Sequence, residues 1–158
     1  MTKTAYRYLT IPVFLAILAL PAWKTAHAQE MICPEHTSVD IDIKPGSYPN
    51  AINLSERGWL PVAIISTADF DASLFNPEMA HLMDASSLMS GSCQGASAVR
   101  WQWDDVNRDE IQDIVFFFRV QDLPLTSTST TASLMAHGSY GDSTLYIMGT
   151  DSVKVVLK

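Results

Sequence analysis

The sequence predicts an all-β fold, an antiparallel β-sandwich of about seven to eight short strands with Greek-key-like connections. Three observations predict it. Apolar and polar residues alternate at period two in several short stretches, and turn-forming residues separate those stretches. No stretch of useful length carries the 3.6-residue period of an amphipathic helix.

The first clear stretch sets Val39, Ile41 and Ile43 against Asp40, Asp42 and Lys44, the pattern of a half-buried strand. Pro45-Gly46-Ser47-Tyr48-Pro49-Asn50 ends it in a turn, with Pro and Gly fixing the corner. Ala51 to Leu54 is a short extended piece before Glu56-Arg57-Gly58. Trp59-Leu60-Pro61-Val62-Ala63-Ile64-Ile65 is nearly all apolar, as a central strand covered on both faces would be. Pro61 lacks an N–H, so it belongs near the start of that strand or at an unpaired position. Met79 to Met83 is a further candidate strand. Residues 85–97 are rich in Ser, Gly, Ala and Met and read as a loop. Val99, Trp101 and Trp103 alternate again, and Ile114 to Phe118 with Val120 forms a second strongly apolar strand. Thr131–Ala136, Thr144–Met148 and Val153–Leu157 complete the set. There is no internal repeat.

Ahead of this domain lies a three-zone segment. Lys3 and Arg7 precede an apolar run from Ile11 to Trp23, and Lys24-Thr25-Ala26-His27-Ala28 follows with small residues where a signal peptidase reads. The pattern predicts a cleavable secretory signal over residues 1–28, cut before Gln29. A membrane anchor would need roughly 20 apolar residues; this run is shorter and is interrupted by Pro12 and Pro21. Residues 29–37 read as a lead-in and 38–158 as the sandwich. The expected product is exported, to the periplasm or outside the cell, without membrane insertion after cleavage.

Three of the ten basic residues fall in the signal, whereas all seventeen acids lie beyond it, so residues 29–158 carry a net charge of −10. That balance argues against nucleic acid and anionic lipid as partners, since both need a basic face. It suits divalent cations, and it equally serves solubility alone. An unidentified extracellular protein or polysaccharide is the expected partner. Cys33 and Cys93 lie beyond the signal, and two cysteines in an exported chain usually pair. The alternative is two free thiols.

The acidic stretch Asp104–Asp113 is the most informative. With Asp105 as position one, oxygen-bearing side chains fall at Asp105, Asn107, Asp109 and Asp113, and the carbonyl of Ile111 occupies position seven. Alternate oxygens around a tight loop suit calcium, which takes six to eight oxygen ligands. An EF-hand is excluded, because position twelve is Phe116 and the loop runs into a strand. Glu110 stands at a left-handed backbone position where glycine is usual, at a cost of roughly 1–2 kcal/mol. The alternative is a solvated acidic turn.

Other readings compete. Gly91-Ser92-Cys93-Gln94-Gly95 fits a G-x-C-x-G nucleophile elbow, but its flanks are loop rather than strand and helix. His36, His81 and His137 have no metal-ligand spacing. No carboxylate pair is singled out for glycoside hydrolysis. The chain therefore reads as non-enzymatic. Trp101 and Trp103, two apart on one strand, share a face and suit either core packing or a stacking platform for sugar rings. Open sheet edges would allow assembly into a matrix or filament.

Several blocks together resemble a known family. These are Val39-Asp40-Ile41-Asp42-Ile43-Lys44-Pro45-Gly46-Ser47-Tyr48-Pro49-Asn50, Ile52-Asn53-Leu54, Leu60 to Ile65, Ala68-Asp69-Phe70-Asp71, Asp105-Val106-Asn107 with Asp109 and Asp113, Phe118 to Leu123, and Gly149 to Val153. They are similar to the extracellular "IDIKPGS" domain of secreted and surface proteins of bacteria and archaea. The resemblance spans about residues 38–158. It implies a secreted β-domain, often appended to larger proteins, with no catalytic activity to carry over. The family's acidic loop carries two glycines where Arg108 and Glu110 stand here.

Overall fold

A computed structural model describes residues 33–156. The expected signal, residues 1–28, lies outside the described residues. In chain order the strands are β1 (Thr37–Ser38), β2 (Ile41–Ile43), β3 (Ala51–Asn53), β4 (Trp59–Ile64), β5 (Phe75–Asp84), β6 (Ala96–Ser97), β7 (Arg100–Asp104), β8 (Asp113–Arg119), β9 (Thr131–Tyr140), β10 (Ser143–Ser152) and β11 (Lys154–Val156). A four-residue helix, α1 (Ser86–Met89), and two short 3₁₀ turns complete the described elements. The fold is all-β, as predicted. Strands outnumber the expectation because five of them are only two or three residues long, too short for an alternating pattern to register.

The strands form a five-stranded sheet in the order β1-β10-β9-β5-β6, a four-stranded sheet in the order β2-β4-β8-β7, and a small β11-β3 pair. All pairings among the long strands are antiparallel. Two short pairings, β1 with β10 and β3 with β11, are parallel. β1 spans the boundary drawn at residue 38, so Thr37, the last residue of the lead-in, pairs with Ile147 of β10. A short helix and a short strand, α1 and β6, also occupy the expected loop 85–97.

Alternation decides which side of each strand is buried. Leu60, Val62 and Ile64 of β4 and Ile114, Phe116 and Phe118 of β8 pack into one core with Leu82, Leu134, Ala136 and Ile147 from the facing sheet. Ala63 and Val115 point the other way and are buried as well, which accounts for the continuous apolar runs. Pro61 sits inside β4, paired with Phe117 of β8. Its carbonyl accepts the Lys44 N–H at 2.8 Å. In an antiparallel ladder a residue's N–H and C=O point to the same side. The missing donor of Pro61 therefore faces the end of β2, not the β8 ladder.

The turn after β2 is tightened by positive φ at Lys44 (62°) and Gly46 (78°). Its neighbour Asn50 is buried and ties this segment to the end of β10. Asn50 donates through Nδ2 to Asp151 Oδ2 at 2.8 Å and to the Ser152 carbonyl at 2.9 Å, and the Ile43 N–H donates to the same Asp151 oxygen at 2.9 Å. Two sequence blocks about a hundred residues apart are thus one hydrogen-bonded unit.

Candidate functional site

The β7–β8 connection is the acidic loop, and its own side chains hold it closed. Asp105 Oδ1 accepts the Asp109 N–H at 3.1 Å and Oδ2 accepts the Glu110 N–H at 3.0 Å. Asn107 Oδ1 accepts the same Asp109 N–H at 3.1 Å, and Asn107 Nδ2 donates to Asp109 Oδ2 at 2.8 Å. Asp109 Oδ1 accepts the Ile111 N–H at 2.8 Å. Asp105, Asn107 and Asp109 therefore gather on one turn, as their spacing predicts. The turn closes only because Arg108 and Glu110 adopt φ of 64° and 68°. These are the two left-handed positions where glycine would be free of strain.

Asp113 does a different job. It is fully buried at the start of β8. Its Oδ1 accepts the Ser66 N–H at 2.8 Å and its Oδ2 accepts the Val106 N–H at 3.1 Å. Ser66, also buried, donates its hydroxyl to the Gln112 carbonyl at 2.7 Å and accepts the Ala72 N–H at 3.0 Å. Asp113 thus staples the acidic loop to the segment after β4. Ile111 is exposed at the loop surface. Among the described residues, no three Asp, Glu, His or Cys side chains cluster as a metal-holding group.

Burial raises the Asp113 pKa above its ordinary 3.8, against the two backbone N–H donors that lower it, and the charges of Asp109 and Asp105 raise it further. For a carboxyl whose folded pKa is raised, the native state holds its proton more tightly than the unfolded chain. Its contribution to stability therefore falls as pH rises from 3.8 to the folded value. Asp109→Asn removes one of the raising charges. The Asp113 carboxyl carbon, followed by NMR titration, is expected to show a lower midpoint in that variant than in the wild type. An unchanged midpoint would show that Asp109 does not act on Asp113.

Trp101 and Trp103 lie on the inner side of β7. Their rings meet edge to face, with centroids 5.4 Å apart and planes at 86°, and do not form a common flat surface. Trp103 packs against the main core. Trp101 stays 37% exposed and borders a cavity of about 160 Å³ with Met79, Val99 and Phe116.

Cys33 and Cys93 form a disulfide with Cα atoms 5.2 Å apart. Beneath it lie Met83, Met135 and Met148 on the outer side of the five-stranded sheet, joined by Leu88 and Tyr146. The G-x-C-x-G segment is therefore spent on a crosslink. His137 Nδ1 lies 3.5 Å from a Glu78 carboxylate oxygen, and His81 Nδ1 lies 3.4 Å from Ser97 Oγ. No described helix is long and apolar enough to cross a membrane.

Sequence reading missed Asn50, Ser66 and Asp151. A polar residue beside an apolar run was the available signal, but its partner is set by tertiary contact alone.

The chain matches no protein-family model and no curated protein.

Proposed function

We propose that this chain is an exported, non-enzymatic β-sandwich of the "IDIKPGS" type that serves as a structural or binding module, with a structural calcium ion in the Asp105–Asp113 loop. The observation that carries the calcium reading is the shared Asp109 N–H. Asp105 and Asn107 both accept from it, so their oxygens sit on one side of a turn that also carries Asp109. Calcium would draw on Asp105, Asn107 and Asp109, with water completing the shell. Asp113, held by backbone donors, would anchor the loop from behind. The ion would offset repulsion among these carboxylates and fix the entry to β8.

Export is supported by the three-zone leader and agrees with the disulfide, since such bonds persist in oxidising compartments. The acidic composition supports a partner other than nucleic acid.

Calorimetric titration of the protein with calcium tests the ion. Heat is expected in the wild type and not in Asp109→Ala. Calcium should also raise the melting temperature of the wild type alone, because a ligand bound only by the native state stabilises it. Equal heats in the two proteins, or a melt insensitive to both calcium and chelator, would remove the ion from the proposal.

A further inference from the structure

The outer face of the four-stranded sheet carries an arrangement that neither the calcium loop nor the tryptophan pair uses. Inward burial of Leu60, Phe116 and Phe118 turns Trp59, Pro61, Phe117 and Arg119 outward. In register, Trp59 faces Arg119, Pro61 faces Phe117, and Phe117 faces Arg100. Neighbouring strands lie about 4.8 Å apart and same-face residues about 6.7 Å apart. Trp59, Pro61 and Phe117 therefore lie side by side on one face, with the Arg100 guanidinium over Phe117 and that of Arg119 near Trp59, whose ring is the open stacking surface. Arg100 sits 3.8 Å from the Phe117 ring centroid and Arg119 sits 5.8 Å from that of Trp59. Trp59 is 48% exposed.

The charges here run against the composition. Acids outnumber bases by seventeen to ten in the chain, yet among the described residues neither arginine forms an ion pair; the single close ion contact is His137 with Glu78. Both guanidiniums lie over aromatic rings instead. Arg100 Nη1 also donates to Gln102 Oε1 at 3.3 Å, so one of its five N–H donors is taken and the others remain for a ligand. Arg57 precedes Trp59 by two residues, and Lys44 lines the small cavity beside Trp59, together with Glu56. Glu56 accepts from Asn53 Nδ2 at 3.0 Å, and Asp42 lies across the sheet opposite Ala63, beyond the aromatic rows.

We infer that the Trp59–Pro61–Phe117 face, with Arg100 and Arg119, binds an acidic polysaccharide whose sugars carry carboxylates. A pyranose ring presents an apolar C–H face to stack on an aromatic surface, and a uronate projects its carboxylate from the ring edge, where a guanidinium fork can take both oxygens. A peptide would dock at a sheet edge, where main-chain groups are free, and this is a sheet face whose main-chain groups are already paired. Nucleic acid, with a phosphate charge about every 1.7 Å of duplex, needs a basic face broader than two guanidiniums. Spaced carboxylates match two separated guanidiniums.

The test is affinity electrophoresis of the full protein through polygalacturonate, with hydroxyethyl cellulose as the neutral polymer. Chelator is present throughout, so calcium bridging plays no part and the result is independent of the acidic loop. Polygalacturonate is expected to retard the wild type and the neutral polymer is not. Retardation should weaken with added salt. Arg100→Gln with Arg119→Gln should reduce affinity about tenfold, and Trp59→Ala should abolish it. Trp59→Tyr, which keeps a ring, should retain most of it; this guards against loss of fold as the cause. Failure of the wild type to bind, undiminished binding by the arginine variant, or equal retardation by the neutral polymer overturns the inference. So does concentration-dependent self-association, without polymer binding, that the same substitutions abolish, for then the face receives a second copy of the chain.

Discussion

Replacing Cys33 and Cys93 together by serine is expected to destabilise the domain by about 4 kcal/mol, because the crosslink closes a long loop and restricts the unfolded chain. The two cysteines are 60 residues apart in sequence. For a domain of this size the loss corresponds to a fall in melting temperature of roughly 15 °C. A local effect adds to the entropic one. The bridge lies over Met83, Met135 and Met148, which are nearly inaccessible to solvent on the outer side of the five-stranded sheet. Without it, the segment before β1 is free to leave that surface. Thermal melts with and without reductant make the comparison. Reductant should lower the wild-type melting temperature to that of the serine variant and leave the variant unchanged. A wild-type melt indifferent to reductant would show that the bridge does not constrain the domain.

The second large effect is expected at Phe118. Its side chain is fully buried opposite Leu60, within the core shared by both sheets. Phe118→Ala removes apolar burial and leaves a cavity between close-packed sheets, at a cost of about 3–5 kcal/mol. Phe117, next in the chain, faces outward and is only half-buried. Phe117→Ala is expected to cost well under half as much. Urea titration should place the midpoint of Phe118→Ala far below that of Phe117→Ala, with m little changed in either. Similar midpoints would mean that the two faces of β8 are assigned the wrong way round.

The contrast between Phe117 and Phe118 shows how far the sequence could be read. Ile114-Val115-Phe116-Phe117-Phe118 is a strand by composition, but a continuous apolar run does not say which alternate set faces the core. Trp59 to Ile65 poses the same ambiguity. Register with β4 resolves both, and in doing so exposes the Trp59–Phe117–Arg100 surface. Trp101 and Trp103 were legible as residues sharing a face, yet their edge-to-face contact depends on side-chain torsions and on the core that Trp103 meets. Residues 85–97 read as loop because α1 and β6 are too short to leave a periodic signal.

The acidic loop divides in the same way. Spacing alone places Asp105, Asn107 and Asp109 on one turn, since alternate side chains of a tight loop meet. It also marks Glu110 as left-handed, as the backbone is at 68°. Spacing does not distinguish Asp113 from these three. Its role depends on Ser66, 47 residues away, whose N–H reaches it only after β4 and β8 have paired.

The sequence by itself determined the all-β class, the turns, the acidic loop and the eligibility of Cys33 and Cys93 to pair, because each follows from local periodicity, local backbone preference or residue chemistry. Only the tertiary structure decided which face of each apolar strand is covered, which acid is buried and which blocks join. Those outcomes depend on contacts between residues tens of positions apart, and no local pattern encodes them.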